Sequence, residues 1–195
     1  MEKHFFRLPE QIERYGVVLR RWRVEDTPEL HALILANVDH LRPFMDWIAS
    51  EPQSLEQRRS LVEGWSAEWD AGGDVAVGIW RAGDLVGSAG LHRRIGLAGL
   101  EIGYWVDGHH LRQGVAAAAS RALTDLAFTV PTINRVQISH DSSNLASAGV
   151  PARLGYQRLP DRTAVAPSGT AGTGTEGLWV VTRHQWRRSP STETA

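Results

Sequence analysis

The chain has 195 residues, 42% of them hydrophobic, and its 21 basic and 22 acidic residues leave a net charge of −1. That balance suits one globular domain, and it excludes a fully disordered chain or a bulk electrostatic pull toward nucleic acid or an anionic membrane. The absence of cysteine excludes disulfides, thiolate nucleophiles and Cys-ligated zinc, and without an apolar run of ~18 residues or an apolar signal core the expected setting is the cytoplasm, with no membrane contact.

The first strand signal covers residues 16–22, GVVLRRW. A helix start follows: Asp26 or Thr27 can cap, Pro28 suits the first turn, and Glu29 favours the positive end of the dipole. Leu30, Leu33, Ile34 and Val38 then repeat at helical spacing. Residues 41–47 read as an aromatic loop or short helix. Ser54 with Gln57 forms a capping-box pattern that opens a longer helix to Asp70, and Gly72-Gly73 closes it. Trp65 and Trp69, four residues apart, share a helical face and read as core.

Residues 74–80, a turn at 81–84, and residues 85–92 read as a hairpin, with a third consecutive strand over 97–106. The small-residue block 114–128 is a helix, 135–140 a strand and 144–154 a helix that Gly149 weakens and Pro151 kinks. A short strand over 156–159, a low-complexity mobile loop over 164–177, a last strand over 178–186 and a disordered tail over 189–195 complete the chain. This order predicts a mixed α/β (α+β) fold in one domain over residues 1–188, with a mostly antiparallel, twisted central sheet of about seven strands and helices on both faces. Three consecutive strands without a crossover helix exclude a doubly wound nucleotide fold.

The segment most suggestive of chemistry is 111–119, between a strand and a helix. Gly114 permits a turn with no Cβ in the way, and Val115, Ala116 and Ala117 offer the free N–H groups of a helix N-terminus, a cradle for pyrophosphate. The same residues read equally as a glycine turn into an Ala-rich helix that packs tightly on the sheet. A nucleotide phosphate loop is disfavoured, because no Lys-Ser/Thr follows Gly114. The eight histidines show no metal-ligand spacing, and no metal is expected.

Four segments occur in order: Glu101-Ile102-Gly103-Tyr104-Trp105-Val106, Arg112-Gln113-Gly114-Val115-Ala116, Asn144-Leu145-Ala146-Ser147 and Arg153-Leu154-Gly155-Tyr156. The set resembles the GNAT superfamily of acyl-CoA N-acyltransferases, and within it the RimJ/RimL-like branch of ribosomal-protein-alanine N-acetyltransferases. Leu19-Arg20-Arg21-Trp22 with Glu25-Asp26, and the segment from Leu41 to Trp47, are similar to the same branch, so the likeness runs over residues 16–186. Leu111 departs from the pattern, which usually has Gln or Arg there, and so does Pro151.

The resemblance implies a V-shaped opening between the strands holding Tyr104-Trp105-Val106 and Gln137-Ile138-Ser139. Acetyl-CoA, the co-substrate, would be held by Tyr104, Trp105, Val106, Arg112, Gln113, Gly114, Val115, Ala116, Ala117, Asn144 and Ser147. The Val106 N–H would face the thioester carbonyl and stabilise the oxyanion, Asn144 would bond the pantetheine arm, and Ser147 would protonate the departing thiolate. The plain alternative makes Asn144 an N-cap and Ser147 a first-turn residue. Glu101 is the leading base, directly or through a water, against a reading as a strand-edge ion pair; His140 comes second, and His109 and His110 read as a solvated loop. Trp22, Phe44, Met45 and Trp47 would wall an acceptor pocket, with Asp46 or Glu25 attracting a cationic amine, against a reading as aromatic core.

The implied activity is transfer of an acetyl group from acetyl-CoA to a primary amine, a protein N-terminus or a small molecule, by direct attack without an acyl-enzyme. A homodimer is suggested by analogy alone. The rival readings are a non-catalytic acyl-CoA sensor on the same fold and a transferase using a longer donor such as succinyl-CoA.

Overall fold

The computed structural model describes residues 8–165 and 168–188; the expected tail over 189–195 lies outside the described residues. Eight strands form one sheet: β1 (Gln11–Arg14), β2 (Val17–Arg21), β3 (Val75–Arg81), β4 (Asp84–His92), β5 (Gly99–Val106), β6 (Arg135–Asp141), β7 (Gln157–Thr163) and β8 (Thr175–Thr182). Their spatial order is β1-β2-β3-β4-β5-β6-β8-β7. Every neighbouring pair is antiparallel except β5 and β6, which run parallel. The helices are α1 (Thr27–Ala36), α2 (Val38–Leu41), α3 (Leu55–Asp70), α4 (Val115–Ala127), α5 (Leu145–Arg153) and α6 (Arg183–Arg188). None of the described helices is long and apolar enough to cross a membrane.

Strand alternation gives the sheet two different faces. One carries Leu19, Val77, Leu91, Ile102 and Val136 into a core completed by Ala119 and Leu123 of α4. The opposite face packs Trp22 with Leu30 and Ile34 of α1 and Val62 of α3. Burying each such large apolar side chain contributes about 1.5–3 kcal/mol. Trp22, 1% exposed, stacks against Trp65 and Trp80 at centroid distances of 6.1 and 5.4 Å.

The local signals act as the sequence requires at α3, where Ser54 Oγ accepts from Gln57 N–H at 3.2 Å and Gln57 Oε1 accepts from Ser54 N–H at 2.8 Å. The helix expected through Val38 instead breaks at buried Asn37. Its amide group donates to Leu33 O (2.9 Å) and to Asp107 Oδ1 (2.8 Å) and accepts from Gly108 N–H (2.8 Å), which suits a bend better than a continued helix.

Four expectations at the margins are corrected. The sheet has eight strands because β1, QIER, pairs with β2 through a turn in which Tyr15 and Gly16 both have positive φ; its mostly exposed side chains carry no apolar alternation. β7 continues to Thr163, past an irregularity between Leu159 and Arg162. β8 stops at Thr182, and the residues expected to extend it form α6, entered by a reciprocal cap: Gln185 Oε1 accepts from Thr182 N–H at 2.8 Å. The loop after β7 is tied down in its described part, with Thr170 N–H and Ala171 N–H donating to Arg42 O and Pro43 O at 3.0 and 2.9 Å.

Candidate active site

The site begins where the sheet divides. β5 and β6 pair only from Gly99–Arg135 to Ile102–Ile138. Beyond that, Gly103 to Val106 continue along β4 alone. Asp107 N–H donates to Val86 O at 2.9 Å, which makes the neighbouring Val106–Gly87 pair a non-hydrogen-bonded one. The Val106 N–H therefore points away from β4, into the gap between β5 and β6.

Tyr104, two residues back on the same face, points to the α5 side of that gap. Its hydroxyl lies 3.0 Å from Ser147 Oγ and 3.2 Å from the Ser147 carbonyl. Burial pushes the Tyr104 hydroxyl up to about 12, against the lowering effect of Ser147, so it stays protonated at neutral pH. Asn144 caps α5, accepting Ser147 N–H on Oδ1 at 3.0 Å, which leaves its amide NH2 to bond elsewhere. Pro151 sits within α5. Having no N–H, it cannot bond the carbonyl four residues back, and that carbonyl is the Ser147 oxygen facing Tyr104.

The segment expected to form a cradle is the N-terminus of α4. Gly114 has φ +82°, and a Cβ there would meet nothing within 4 Å. The first helical bond recorded is Ala118 N–H to Gly114 O, so Val115, Ala116 and Ala117 bring their N–H groups in ahead of the ladder. Arg112 is exposed and adopts φ +57°, rare for a non-glycine residue. The Gln113 side chain is used internally, between Arg81 Nη1 (3.2 Å) and His109 O (2.9 Å). His110 is no mere loop residue: its Nδ1 lies 2.8 Å from Asp107 Oδ2 and helps to anchor the approach to the cradle.

A cavity of about 580 Å³ runs through the split, lined by Trp47, Trp65 and Trp105 on the α1–α3 side and by Tyr104, Asn144 and Ser147 on the other. Phe44, Met45, Asp46 and Trp47 line it. Two neighbours do not. Trp22 is core, beneath the cavity, because its indole is enclosed by Trp65 and Trp80, and Glu25 is exposed and apart from the lining. Alternation turns the Trp105 ring to the face opposite the Tyr104 ring, where it packs 6.2 Å from Trp47 in the cavity wall.

Glu101 lies in the cavity wall, 9% exposed, with Oε2 accepting from Gln137 Nε2 at 2.8 Å and Oε1 3.3 Å from Arg94 Nε. Both ring nitrogens of His140 have partners. Trp179 Nε1–H donates to its Nε2 at 2.9 Å, so that lone pair is taken, and Nδ1–H faces Asp141 O at 2.7 Å. Sequence reasoning passed over His92, which also lines the cavity, with Nδ1 2.8 Å from Asp74 Oδ2. The signal was the 74–92 hairpin itself, which returns His92 beside the residue that opens it.

A model of the acetyltransferase (GNAT) domain family matches residues 17–157, and the chain belongs to that family. Solved structures of similar fold include RimL, a ribosomal L7/L12 alpha-N-protein acetyltransferase, in complex with coenzyme A (22% identity, TM-score 0.78, 87% of this chain and 98% of that one). RimJ of Mycobacterium smegmatis in complex with CoA-disulfide is similar at 23% identity and TM-score 0.77, over 89% of this chain and 86% of that one. The microcin C7 self-immunity acetyltransferase MccE, in complex with acetyl-CoA and AMP, reaches TM-score 0.81 at 17% identity, over 90% and 97% of the two chains. No curated protein matches the chain.

Proposed function

We propose that this protein, acting as one domain in the cytoplasm, transfers the acetyl group of acetyl-CoA to a primary amine, with a protein N-terminal α-amine as the leading acceptor. The observation that carries this reading is the backbone N–H of Val106 at the split of the sheet, beside a cavity that the Tyr104–Ser147 pair lines together with Phe44, Trp47 and Trp105. Acetyl-CoA suits the residues present. The α4 N–H groups and the open space at Gly114 would take the pyrophosphate, the Asn144 amide the pantetheine arm, and the gap the thioester.

In this mechanism the amine enters past Phe44 and Trp47 and attacks the carbonyl carbon directly. The Val106 N–H stabilises the oxyanion, an effect worth a few kcal/mol for one well-placed donor. As the C–S bond breaks, the Ser147 hydroxyl, held by Tyr104, hands a proton to the sulfur. An α-amine needs less help than a lysine, since it loses its proton near ~7.7–8.0 rather than ~10.4. The RimL neighbour, an alpha-N-protein acetyltransferase, adds support for a protein N-terminus.

The test is calorimetric titration with acetyl-CoA, with ATP and succinyl-CoA as controls, followed by a thiol-release assay on N-terminal peptides and small polyamines. Micromolar acetyl-CoA binding with amine-dependent thiol release is expected. Binding without turnover on any amine would support a sensor, tighter succinyl-CoA binding would change the donor, and tighter ATP binding would overturn the reading.

A further inference from the structure

We propose that His92, held by Asp74, is the base that takes the proton from the incoming amine; this rests on the acetyl-transfer reading above. His92 and Glu101 are cross-strand partners in the β4–β5 register, so their side chains share the face that lines the cavity. The next pair along that face is Gly90–Gly103. A Cβ at either glycine would lie 3.2 Å from His92 Nε2. The imidazole thus occupies the trough those glycines leave, with Nε2 displaced along the strands toward Trp105 and Val106.

The ring is oriented for that task. Asp74 Oδ2 faces Nδ1 at 2.8 Å, and Asp74 Oδ1 accepts Arg93 N–H at 2.8 Å. Burial raises the Asp74 carboxyl, but the Arg93 N–H and His92 outweigh it and hold it below the ordinary carboxylate range. An ionised Asp74 accepts Nδ1–H, which leaves the lone pair on Nε2. That nitrogen meets no hydrogen-bonding partner among the described residues. Glu101 differs, with one oxygen on Gln137 and the other on Arg94, and the lone pair of His140 is spent on Trp179.

The charged groups around the imidazole are Asp74 ahead of β3, Arg93 and Arg94 after β4, Glu101 on β5, Glu68 of α3 near Gly73, and the buried Arg58–Glu51 pair behind the cavity. The step balances simply. The ammonium gives one proton to His92 Nε2, which passes it to solvent. The freed amine forms the C–N bond, and its second proton reaches the coenzyme sulfur through Ser147 as the C–S bond breaks.

The test uses the full chain, acetyl-CoA and peptides with a free N-terminal Ala, Ser or Met. His92→Gln should lower kcat by about 10²–10³-fold with acetyl-CoA Kd within about twofold. The acid limb of the wild-type kcat/KM profile should vanish in that variant. Asp74→Asn should cost about tenfold or more, with thermal melts checking the fold of both. In the wild-type protein, nitrogen NMR of labelled histidine should find the proton on Nδ1 of neutral His92. Proposal and geometry fail together if His92→Gln keeps both rate and acid limb, or if the proton is on Nε2. A wild-type protein that neither binds acetyl-CoA nor consumes it with any amine removes the acetyl-transfer reading instead, and the role of His92 goes with it.

Discussion

The Tyr104 hydroxyl sits between two oxygens of Ser147, 3.0 Å from Oγ and 3.2 Å from the carbonyl that Pro151 leaves without a helical donor. A proline that looks disruptive in the sequence therefore has a structural counterpart on another strand. The side chain that satisfies the freed carbonyl is the same one that orients the Ser147 hydroxyl.

Tyr104→Phe should separate these two consequences. Losing one neutral hydrogen bond costs about 1 kcal/mol, or about 2–4 °C in melting temperature for a chain of this length. Turnover should fall about tenfold, because the Ser147 hydroxyl loses its fixed orientation, while acetyl-CoA affinity holds. A melting shift with unchanged kcat would leave Tyr104 as a strut for α5 alone.

Gly114 can be probed with a matched pair of variants. At φ +82° any L-residue is strained by about 1–2 kcal/mol, yet the space around the missing Cβ is open. Gly114→Ala should thus lower stability with little change in acetyl-CoA affinity. Gly114→Asp adds a carboxylate at the expected pyrophosphate position and should weaken binding tenfold or more by calorimetry. Equal affinities for the two variants would move the phosphate site away from α4.

Much of this arrangement is legible in the chain, and the reason is local. The β5 run Glu101–Val106, the Gly114 turn and the Ser54–Gln57 cap each declare themselves within a few residues. What escaped depends on register or on distant partners. QIER has no apolar alternation, and its place is set by β2. The Asp74–His92 pair spans 18 residues and needs the hairpin register, while the Trp179 indole that occupies His140 lies 39 residues away. The Thr182–Gln185 cap stands directly behind the apolar run of β8, which masks it in the sequence.

Asp141 gives a pH-dependent prediction. Burial raises its carboxyl, but the hydroxyl and N–H groups of Ser143 and Thr173, at 2.7–3.1 Å, outweigh that and hold it below the ordinary range. Its folded value lies below the unfolded ~3.9, so its contribution is complete well above that value and is lost as pH falls beneath it. Asp141→Asn should cost about 2 kcal/mol at pH 7 in urea unfolding, and the gap from wild type should narrow at pH 3. A gap independent of pH would mean that the charge is not what holds the 168–173 loop.

Glu51 and Arg58 form an ion pair with side chains 0% and 1% exposed, and Arg58 Nε has no partner among the described residues. Glu51→Gln strands a buried guanidinium and should destabilise the fold by about 3–5 kcal/mol in denaturant titration. A loss below about 1 kcal/mol would mean that water reaches the guanidinium from the cavity.

Strand β5 lines one cavity from both of its faces: Tyr104 and Trp105 are adjacent in the chain, and their side chains leave opposite sides of the sheet. Reading frame is therefore a chemical variable here. One residue inserted between Gly103 and Tyr104 would exchange the faces that carry the phenol and the indole, although every original side chain remained. The same insertion at the Ala82–Gly83 turn would change only the length of a hairpin tip. Descendants of this chain should accept length changes at that tip and reject them in the four residues beside the gap.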